Sequence, residues 1–185
     1  ETVRINVLDS TVLATDQTTA ESIDASALTA GVALVGNDGD NTLTGSAFAD
    51  TFVAGLGDDR LVVDDLDTSV DGGTGNTDTI VLAADATFTA AQLIEIEAAE
   101  LASGVSLTVD HADAATIVTV TGVDDAATET LIVTGAALGD TATIDFSAAT
   151  HTFTNAVLDY RGGAGVDDIV GTAAADIISG GFGDD

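Results

Sequence analysis

The stretch GGAGVDDIVGTAAADIISGGFGDD, from Gly162 to Asp185, repeats one nine-residue phrase, and its third copy stops after six residues. Each phrase opens with glycine, which tolerates positive φ and lets two backbones approach closely. An aspartate stands at the sixth position, and a large apolar residue follows two places later, at Ile169 and Ile178. The phrase therefore predicts a six-residue loop followed by a three-residue strand whose middle side chain points inward.

The same spacing governs an earlier block, which runs from Gly36 to Val81. The units GNDGDNTLT, GSAFADTFV, AGLGDDRLV and VDDLDTSVD follow one another there, and the ten-residue unit GGTGNTDTIV ends the block. One large apolar residue recurs at the equivalent position along the chain: Leu34, Leu43, Phe52, Leu61, Val70, Ile80 and, before the last block, Tyr160. A period held over this many units indicates a solenoid. We predict an all-β fold, a right-handed parallel β-roll or β-solenoid with Gly/Asp loops.

The charge of the chain restricts its function. It contains 32 acidic and three basic residues, for a formal net charge of -29, yet 45% of its residues are hydrophobic, enough to form a core. So few cations exclude nucleic acid as a partner, since phosphate contacts require Lys and Arg. The absence of Cys excludes disulfides, and no apolar run approaches bilayer-spanning length, so we expect no membrane insertion. A salt-adapted protein would also be acidic, but only six of the acids are Glu, whereas Asp is typical of tight loops and calcium ligation.

We divide the chain into four segments. Residues 1–35 are lead-in β-solenoid strands, 36–82 form the first block, 83–161 form a Thr- and Ala-rich β-solenoid without the glycine phrase, and 162–185 form the second block, which is truncated. Within 83–161, the runs IEIEAAEL, VSLTV, TIVTVTG, TLIVTG, TATIDF and HTFTN predict strands. The start at Glu rather than Met and the abrupt end lead us to expect an interior piece of a larger protein.

The phrase GGAGVDDIV matches G-G-x-G-x-D-x-U-x, in which U is large and aliphatic, and so resembles the calcium-binding nonapeptide of RTX proteins. The remainder resembles in texture the β-solenoid segments of RTX-type surface-layer proteins. The resemblance implies Ca²⁺ as the cofactor and calcium-binding Gly/Asp loops. A metal-free solenoid would not need an acid at the sixth position of successive units. The candidate calcium-binding residues are Gly36, Asp38, Asp40, Asn41, Gly55, Gly57, Asp59, Gly73, Gly75, Asp78, Gly162, Gly163, Gly165, Asp167, Gly180, Gly181, Gly183 and Asp185.

Two nonapeptides per coil would bring every second loop onto the same edge. Neighbouring strands lie about 4.8 Å apart, and calcium–oxygen distances are about 2.3–2.6 Å, so one ion fits between two stacked loops. The predicted stacks are Gly36–Asn41 on Ala54–Asp59 on Gly72–Asp78, with two ions, and Gly162–Asp167 on Gly180–Asp185.

Three positions depart from this pattern. Asn41 replaces the expected Asp, so we expect the first ion to bind more weakly. The opposite edge pairs Gly45–Asp50 with Val63–Thr68, where Thr68 stands in place of Asp, and we expect a poor or absent site there. The turns of the third segment, such as GVDDAATET, lack the glycine phrase, so we expect that segment to bind little calcium.

The resemblance implies export by type I secretion and folding outside the cell, where calcium is available. We therefore expect an extracellular protein, at the bacterial cell surface or secreted, that is a calcium-binding structural segment of a large self-assembling, S-layer-like protein. Its expected partners are calcium ions, copies of itself or neighbouring segments of the same protein, and cell-surface polysaccharide. Two alternatives are a calcium-dependent adhesin or binding module, and the calcium-folded C-terminal part of a secreted enzyme. No catalytic motif is present, so we expect no enzyme.

Overall fold

The computed structural model describes residues 2–4, 11–13, 22–75, 77–89, 92–135, 143–147 and 151–185. Residues 1, 5–10 and 14–21 of the predicted lead-in, and residues 141–142 of the predicted strand TATIDF, lie outside this description. The described residues form short strands and one helix: β1 (Thr2–Arg4), β2 (Thr11–Leu13), β3 (Ser22–Asp24), β4 (Ala33–Val35), β5 (Thr42–Thr44), β6 (Thr51–Leu56), β7 (Arg60–Val63), β8 (Ser69–Thr74), β9 (Thr79–Leu82), β10 (Ala86–Thr87), β11 (Leu93–Ile94), β12 (Ala98–Leu101), β13 (Ser106–Asp110), α1 (His111–Thr116), β14 (Thr119–Thr121), β15 (Glu129–Thr134), β16 (Thr143–Asp145), β17 (Thr152–Thr154), β18 (Ala156–Arg161), β19 (Asp168–Val170) and β20 (Ile177–Ser179).

The first compact unit comprises Glu1–Leu82 and Ala91–Ala98. Successive strands alternate between two parallel sheets, one in the order β1-β3-β5-β7-β9 and the other in the order β2-β4-β6-β8-β11. Leu34 pairs with Phe52, and Phe52 pairs with Val70, so equivalent residues of these neighbouring coils lie two nonapeptides apart. This register confirms the predicted parallel β-solenoid.

The core of this unit is the row of apolar residues that the nine-residue period predicts. Each occupies a strand of β4 to β9, and all six are fully buried: Leu34, Leu43, Phe52, Leu61, Val70 and Ile80. Burying one such side chain contributes roughly 1.5–3 kcal/mol. The loops are therefore held at fixed positions by the strands on either side of them.

The second unit comprises Ala83–Ala90 and Ala99–Asp185. Its parallel sheets have the orders β10-β13-β15-β18-β20, β12-β14-β17 and β16-β19. Leu107 pairs with Leu131 and Leu131 with Leu158, so these coils are longer than two nonapeptides, but Tyr160 pairs with Ile178, two nonapeptides later. The nonapeptide register therefore returns at the second block. Tyr160 is fully buried, whereas Ile178 is 46% exposed because β20 pairs only with β18 among the described strands.

Helix α1 was not predicted from the sequence. Asp110 caps its N-terminus by accepting hydrogen bonds from the backbone N–H groups of Ala112 and Asp113. An Asp before a run rich in Ala was the available signal. No helix in the described part of the chain has the length and apolar character needed to cross a membrane.

Candidate calcium sites

Three loops of the first unit lie on one another as the spacing predicts: Gly36–Asn41, Ala54–Asp59 and Gly72–Asp78. Gly55 and Gly73 pair within the β6–β8 ladder. A Cβ on Gly55 would collide with the carbonyl oxygen of Asn37, and one on Gly73 would collide with that of Gly55. Both glycines have positive φ, 119° and 89°. Glycine is required at both positions because each loop carbonyl faces the backbone of the next loop.

A ladder of carboxylates and one amide closes these loops. The backbone N–H of Asn41 donates to Oδ1 of Asp59 (2.6 Å), that of Asp59 donates to Oδ1 of Asp78 (2.8 Å), and that of Asp78 donates to Oε2 of Glu97 (2.8 Å). Glu97 was not among the predicted residues. Its spacing in the sequence indicates this role, because Asp78 follows Asp59 by 19 positions and Glu97 follows Asp78 by 19 positions.

The second oxygens of the ladder carboxylates lack donors. Oδ2 of Asp59 and Oδ2 of Asp78 are buried and accept no hydrogen bond from the described residues. Burial raises the pKa of Asp59 to about 6, and the charges of Asp78, Asp40 and Asp58 add to this against the opposing hydrogen bond from Asn41. Burial likewise raises the pKa of Asp78 to about 6, opposed by the hydrogen bond from Asp59 and reinforced by the charge of Glu97.

This arrangement fits a divalent cation. Two buried carboxylate oxygens without donors, facing loops of backbone carbonyls, are the oxygen ligands that calcium prefers. No group of three or more His, Asp or Glu side chains converges within the described ranges, so the loop carbonyls must complete any coordination shell. Bound calcium would neutralise the ladder. Asp59 and Asp78 would hold it, with the carbonyls of the glycine loops as further ligands.

The side-chain amide of Asn41 binds oxygen atoms of its own loop. Its Nδ2 donates to Oδ1 of Asn37 (2.8 Å) and to the carbonyl oxygen of Gly39, while its Oδ1 accepts from the backbone N–H of Asn37 (2.7 Å). The amide therefore occupies loop oxygens that would otherwise be available to a cation. This gives a physical reason for the expected weaker binding of the first ion.

Two further predicted residues of the first loop lie outside the ladder. Oδ1 of Asp40 accepts from the backbone N–H of Asp58 (2.9 Å), and Oδ1 of Asp58 accepts from that of Thr77 (3.1 Å), which forms a second, outer row. Asp38 is exposed and accepts no hydrogen bond from the described residues. The structure therefore brings Asp40 but not Asp38 into contact with the next loop. Asp58 was not among the predicted residues.

The opposite edge differs from the prediction in one residue. Asp67, not Thr68, takes the closing position, because its Oδ1 accepts from the backbone N–H of Asp50 (3.0 Å). A tight turn, in which Oδ2 of Asp67 accepts from the N–H of Asp64 (2.9 Å), advances the acid by one residue. Thr68 instead donates its N–H to the carbonyl oxygen of Asp50 (3.0 Å). Burial raises the pKa of Asp67 to about 7.

Protein donors satisfy the carboxylates of this edge. Oδ1 of Asp50 accepts from the N–H of Val32 (2.7 Å), and its Oδ2 accepts from the N–H of Ser46 (2.6 Å) and from the Ser46 hydroxyl. In the second unit, the loop GTAAAD (residues 171–176) has the same arrangement, since Asp176 accepts from the N–H (2.8 Å) and the hydroxyl of Thr172. The loops GSAFAD and GTAAAD thus share a Ser or Thr that binds the closing Asp, a signal the sequence reasoning missed.

The second block stacks its two loops as predicted. The backbone N–H of Asp167 donates to Oδ1 of Asp185 (3.1 Å), and that of Phe182 donates to the carbonyl oxygen of Gly163 (2.9 Å). Cβ atoms on Gly162, Gly181 and Gly183 would collide with carbonyl oxygens of the facing loop. All eight predicted residues of this block are therefore brought together: Gly162, Gly163, Gly165, Asp167, Gly180, Gly181, Gly183 and Asp185.

Comparison with known proteins agrees with this geometry. The family model described as RTX calcium-binding nonapeptide repeat (4 copies) matches residues 35–67 and 161–185, about a third of the chain. The third loop of the first stack, Gly72–Asp78, lies outside the matched residues. No curated protein and no solved structure matches the chain. Calcium is the ion that these repeats bind, and the chain therefore carries RTX-type calcium-binding β-roll repeats in two separate blocks.

Proposed function

We propose that the chain is a calcium-binding structural segment of a large secreted, self-assembling surface protein, S-layer-like, that folds on meeting extracellular calcium. The observation that carries the proposal is the ladder of Asn41, Asp59 and Asp78, in which buried carboxylate oxygens have no donor in the described protein. If a cation must bind this loop edge before the solenoid is stable, the chain will fold only where that cation is abundant.

The energies support coupling of folding to calcium. Two unit charges about 4.8 Å apart, the spacing of stacked strands, repel by roughly 0.9 kcal/mol in water and by about 3.5 kcal/mol at an effective dielectric of 20. Each ion bound at 100 times its dissociation constant stabilises the folded state by about 2.7 kcal/mol. Extracellular modules bind calcium at roughly 10⁻⁴–10⁻³ M, so we propose that the chain stays unfolded inside the cell.

Exposed apolar side chains support self-association. In the first unit Val53, Leu56 and Leu66 are 45–52% exposed. Single exposed apolar residues are ordinary on a surface, but contiguous apolar patches mark protein contacts, and Val53 and Leu56 lie on the same strand, β6. The proposed partners are copies of this chain, neighbouring segments of the same protein and cell-surface polysaccharide. We propose an extracellular location and no catalytic role, nucleic-acid binding or membrane insertion.

Electron microscopy of the purified chain tests this function. The chain is incubated with millimolar calcium, with millimolar magnesium, or with chelator, and then imaged in negative stain. We expect sheets or filaments in calcium only, because magnesium requires a smaller octahedral shell. A chain that folds in calcium but remains monomeric at all concentrations would contradict the self-assembling role.

A calcium-dependent adhesin is the second candidate, and one groove favours it. Phe146, His151, Phe153 and Thr172 line a groove of about 310 Å³ in the second unit. The rings of Phe146 and His151 lie 4.9 Å apart, and those of Phe146 and Phe153 lie 6.2 Å apart. Phe146 and His151 are buried, whereas Phe153 is partly exposed, and an aromatic face beside a hydroxyl suits a sugar ring. Glycan binding that is lost in Phe153→Ala, with calcium-coupled folding retained, would favour the adhesin.

A further inference from the structure

The loop Gly122–Glu129 of the second unit is built like a calcium loop although it lacks the glycine phrase. The N–H of Gly122 donates to the carbonyl oxygen of Thr154 in the next coil (2.8 Å). A Cβ on Gly122 would collide with Oε2 of Glu129 and with the carbonyl oxygen of Asn155. The closing acid of the loop and a carbonyl of the next coil therefore both lie over its single glycine.

The loop Gly72–Asp78 has the same construction. A Cβ on Gly72 would collide with the carboxyl group of Asp78 and with the carbonyl oxygen of Glu95. Glu95 and Asn155 are the non-glycine residues of positive φ in the described chain, at 51° and 52°. Each places its carbonyl oxygen against the first glycine of a loop that a buried acid closes.

The hydrogen bonding of the closing acids agrees as well. Oδ1 of Asp78 accepts the N–H of Asp59 from the preceding coil (2.8 Å), and Oε1 of Glu129 accepts the N–H of Gly104 from its preceding coil (2.7 Å). In both acids the other oxygen is buried and accepts no hydrogen bond from the described residues. Glu129 is fully buried. A buried carboxylate oxygen without a partner destabilises the fold, and a bound cation beside Glu129 would remove that cost.

The loop carries two exposed acids, Asp124 and Asp125. Asp124, Asp125, Thr128 and Asn155 line part of a groove of about 320 Å³ against it. Oxygen-bearing side chains of negative charge on the outer face of the loop would concentrate divalent cations there.

We propose that the Gly122–Glu129 loop binds a further calcium ion, held by Glu129 together with loop carbonyls such as that of Asn155. This revises the expectation that the segment 83–161 binds little calcium. The longer Glu side chain and a closing acid seven residues after the glycine hide the likeness in sequence. The inference shares the calcium chemistry of the proposed function but depends on different residues.

Glu129→Gln tests the site, because it keeps an oxygen for the Gly104 N–H and removes the charge. Asp85→Asn is the matched control: Asp85 is an exposed acid of the same unit whose Oδ1 also accepts a backbone N–H from another coil, that of Ser106 (2.8 Å). Calcium per chain is counted by equilibrium dialysis at saturating calcium, on the full chain. We expect Glu129→Gln to lose one ion and Asp85→Asn to lose none. Equal stoichiometry in all three proteins would overturn the proposal.

A crystal of the wild-type chain grown in calcium and measured at long wavelength gives an independent reading. An anomalous peak beside Glu129 supports the proposal, including the case in which Glu129→Gln fails to fold. Peaks at the two blocks without one at Gly122–Glu129 overturn this inference and leave the proposed function intact. A peak at Glu129 with none at the blocks supports this site and contradicts the proposed function.

Discussion

Replacing Asp59 by Asn separates the two edges of the first unit. Asp59 closes the middle loop of the three-loop stack, so we expect this loop to serve the two ions on either side of it. Asn retains Oδ1 for the N–H of Asn41 but replaces the donor-free Oδ2 by an amide, as the protein itself does at Asn41. Asp50→Asn is the matched control, because Asp50 occupies the same register position on the opposite edge, where protein donors satisfy both oxygens.

The expected magnitude follows from the number of ions that share the carboxylate. A charge-assisted contact contributes roughly 1.5–3 kcal/mol, which corresponds to a loss of about 10- to 100-fold in affinity for each ion. With two ions affected, Asp59→Asn should remove about 3–6 kcal/mol of calcium-linked stability at saturating calcium. In chelator the sign reverses, because removing one like charge next to Asp78 relieves roughly 1 kcal/mol of repulsion.

Asp50→Asn should act differently. Its new amide would face the N–H of Ser46, which costs about 1–3 kcal/mol for a buried group left without a partner. That cost should be the same with calcium and with chelator. Urea unfolding monitored by circular dichroism, at several fixed calcium concentrations and in chelator, measures both effects. Equal losses of calcium-linked stability in the two variants would refute the assignment of edges, and no loss in either would mean that the first block is a metal-free solenoid.

The remaining predictions concern pH and two single residues. The pKa values of Asp59 and Asp78 are raised, so their contribution to the stability of the calcium-free fold is fully present below about pH 3.8 and is lost as pH rises through about 6. Circular dichroism of the chelated chain should therefore show more structure at pH 4.5 than at pH 7.5. The reverse order would contradict the assignment of these groups. Protons and calcium compete for the same carboxylates, so calcium affinity should fall below about pH 6 in a titration. Asn41→Asp should free the carbonyl oxygen of Gly39 and tighten calcium binding about tenfold by calorimetry, as estimated for one added charged ligand; unchanged affinity would show that Asn41 does not weaken the first site. Gly73→Ala should destabilise the calcium-saturated protein by roughly 1–3 kcal/mol more than Gly104→Ala. Both positions have positive φ, but only at Gly73 would the added Cβ collide with a carbonyl oxygen. Equal losses of stability in urea unfolding would mean that this close approach is unimportant.

The coil register was predictable because one physical requirement fixes it. The large apolar residues from Leu34 to Ile80 must all face the interior, and in a parallel ladder a slip of one residue would expose them. Their spacing therefore located the strands, and the loops between them followed. The stacking of Ala54–Asp59 between its two neighbours needed no further information.

The details of the loops were not predictable in the same way. The turn from Asp64 to Asp67 advances the acid by one residue, and only the hydrogen bonds show that Asp67 rather than Thr68 meets Asp50. In the second unit, coils longer than two nonapeptides break the period, so nothing in the spacing places Glu129 over Gly122. The nine-residue period predicts which residues lie in the core, whereas the local turns decide which acid closes each loop.

The most direct test of the central claim is the response of the full chain to calcium. Far-UV circular dichroism and small-angle scattering are recorded in chelator, in millimolar magnesium and in millimolar calcium. We expect a chelated chain that approaches the roughly 46 Å radius of gyration of an unfolded chain of this length, little change in magnesium, and a compact β-rich protein in calcium. An identical spectrum and radius in calcium and in chelator would contradict it.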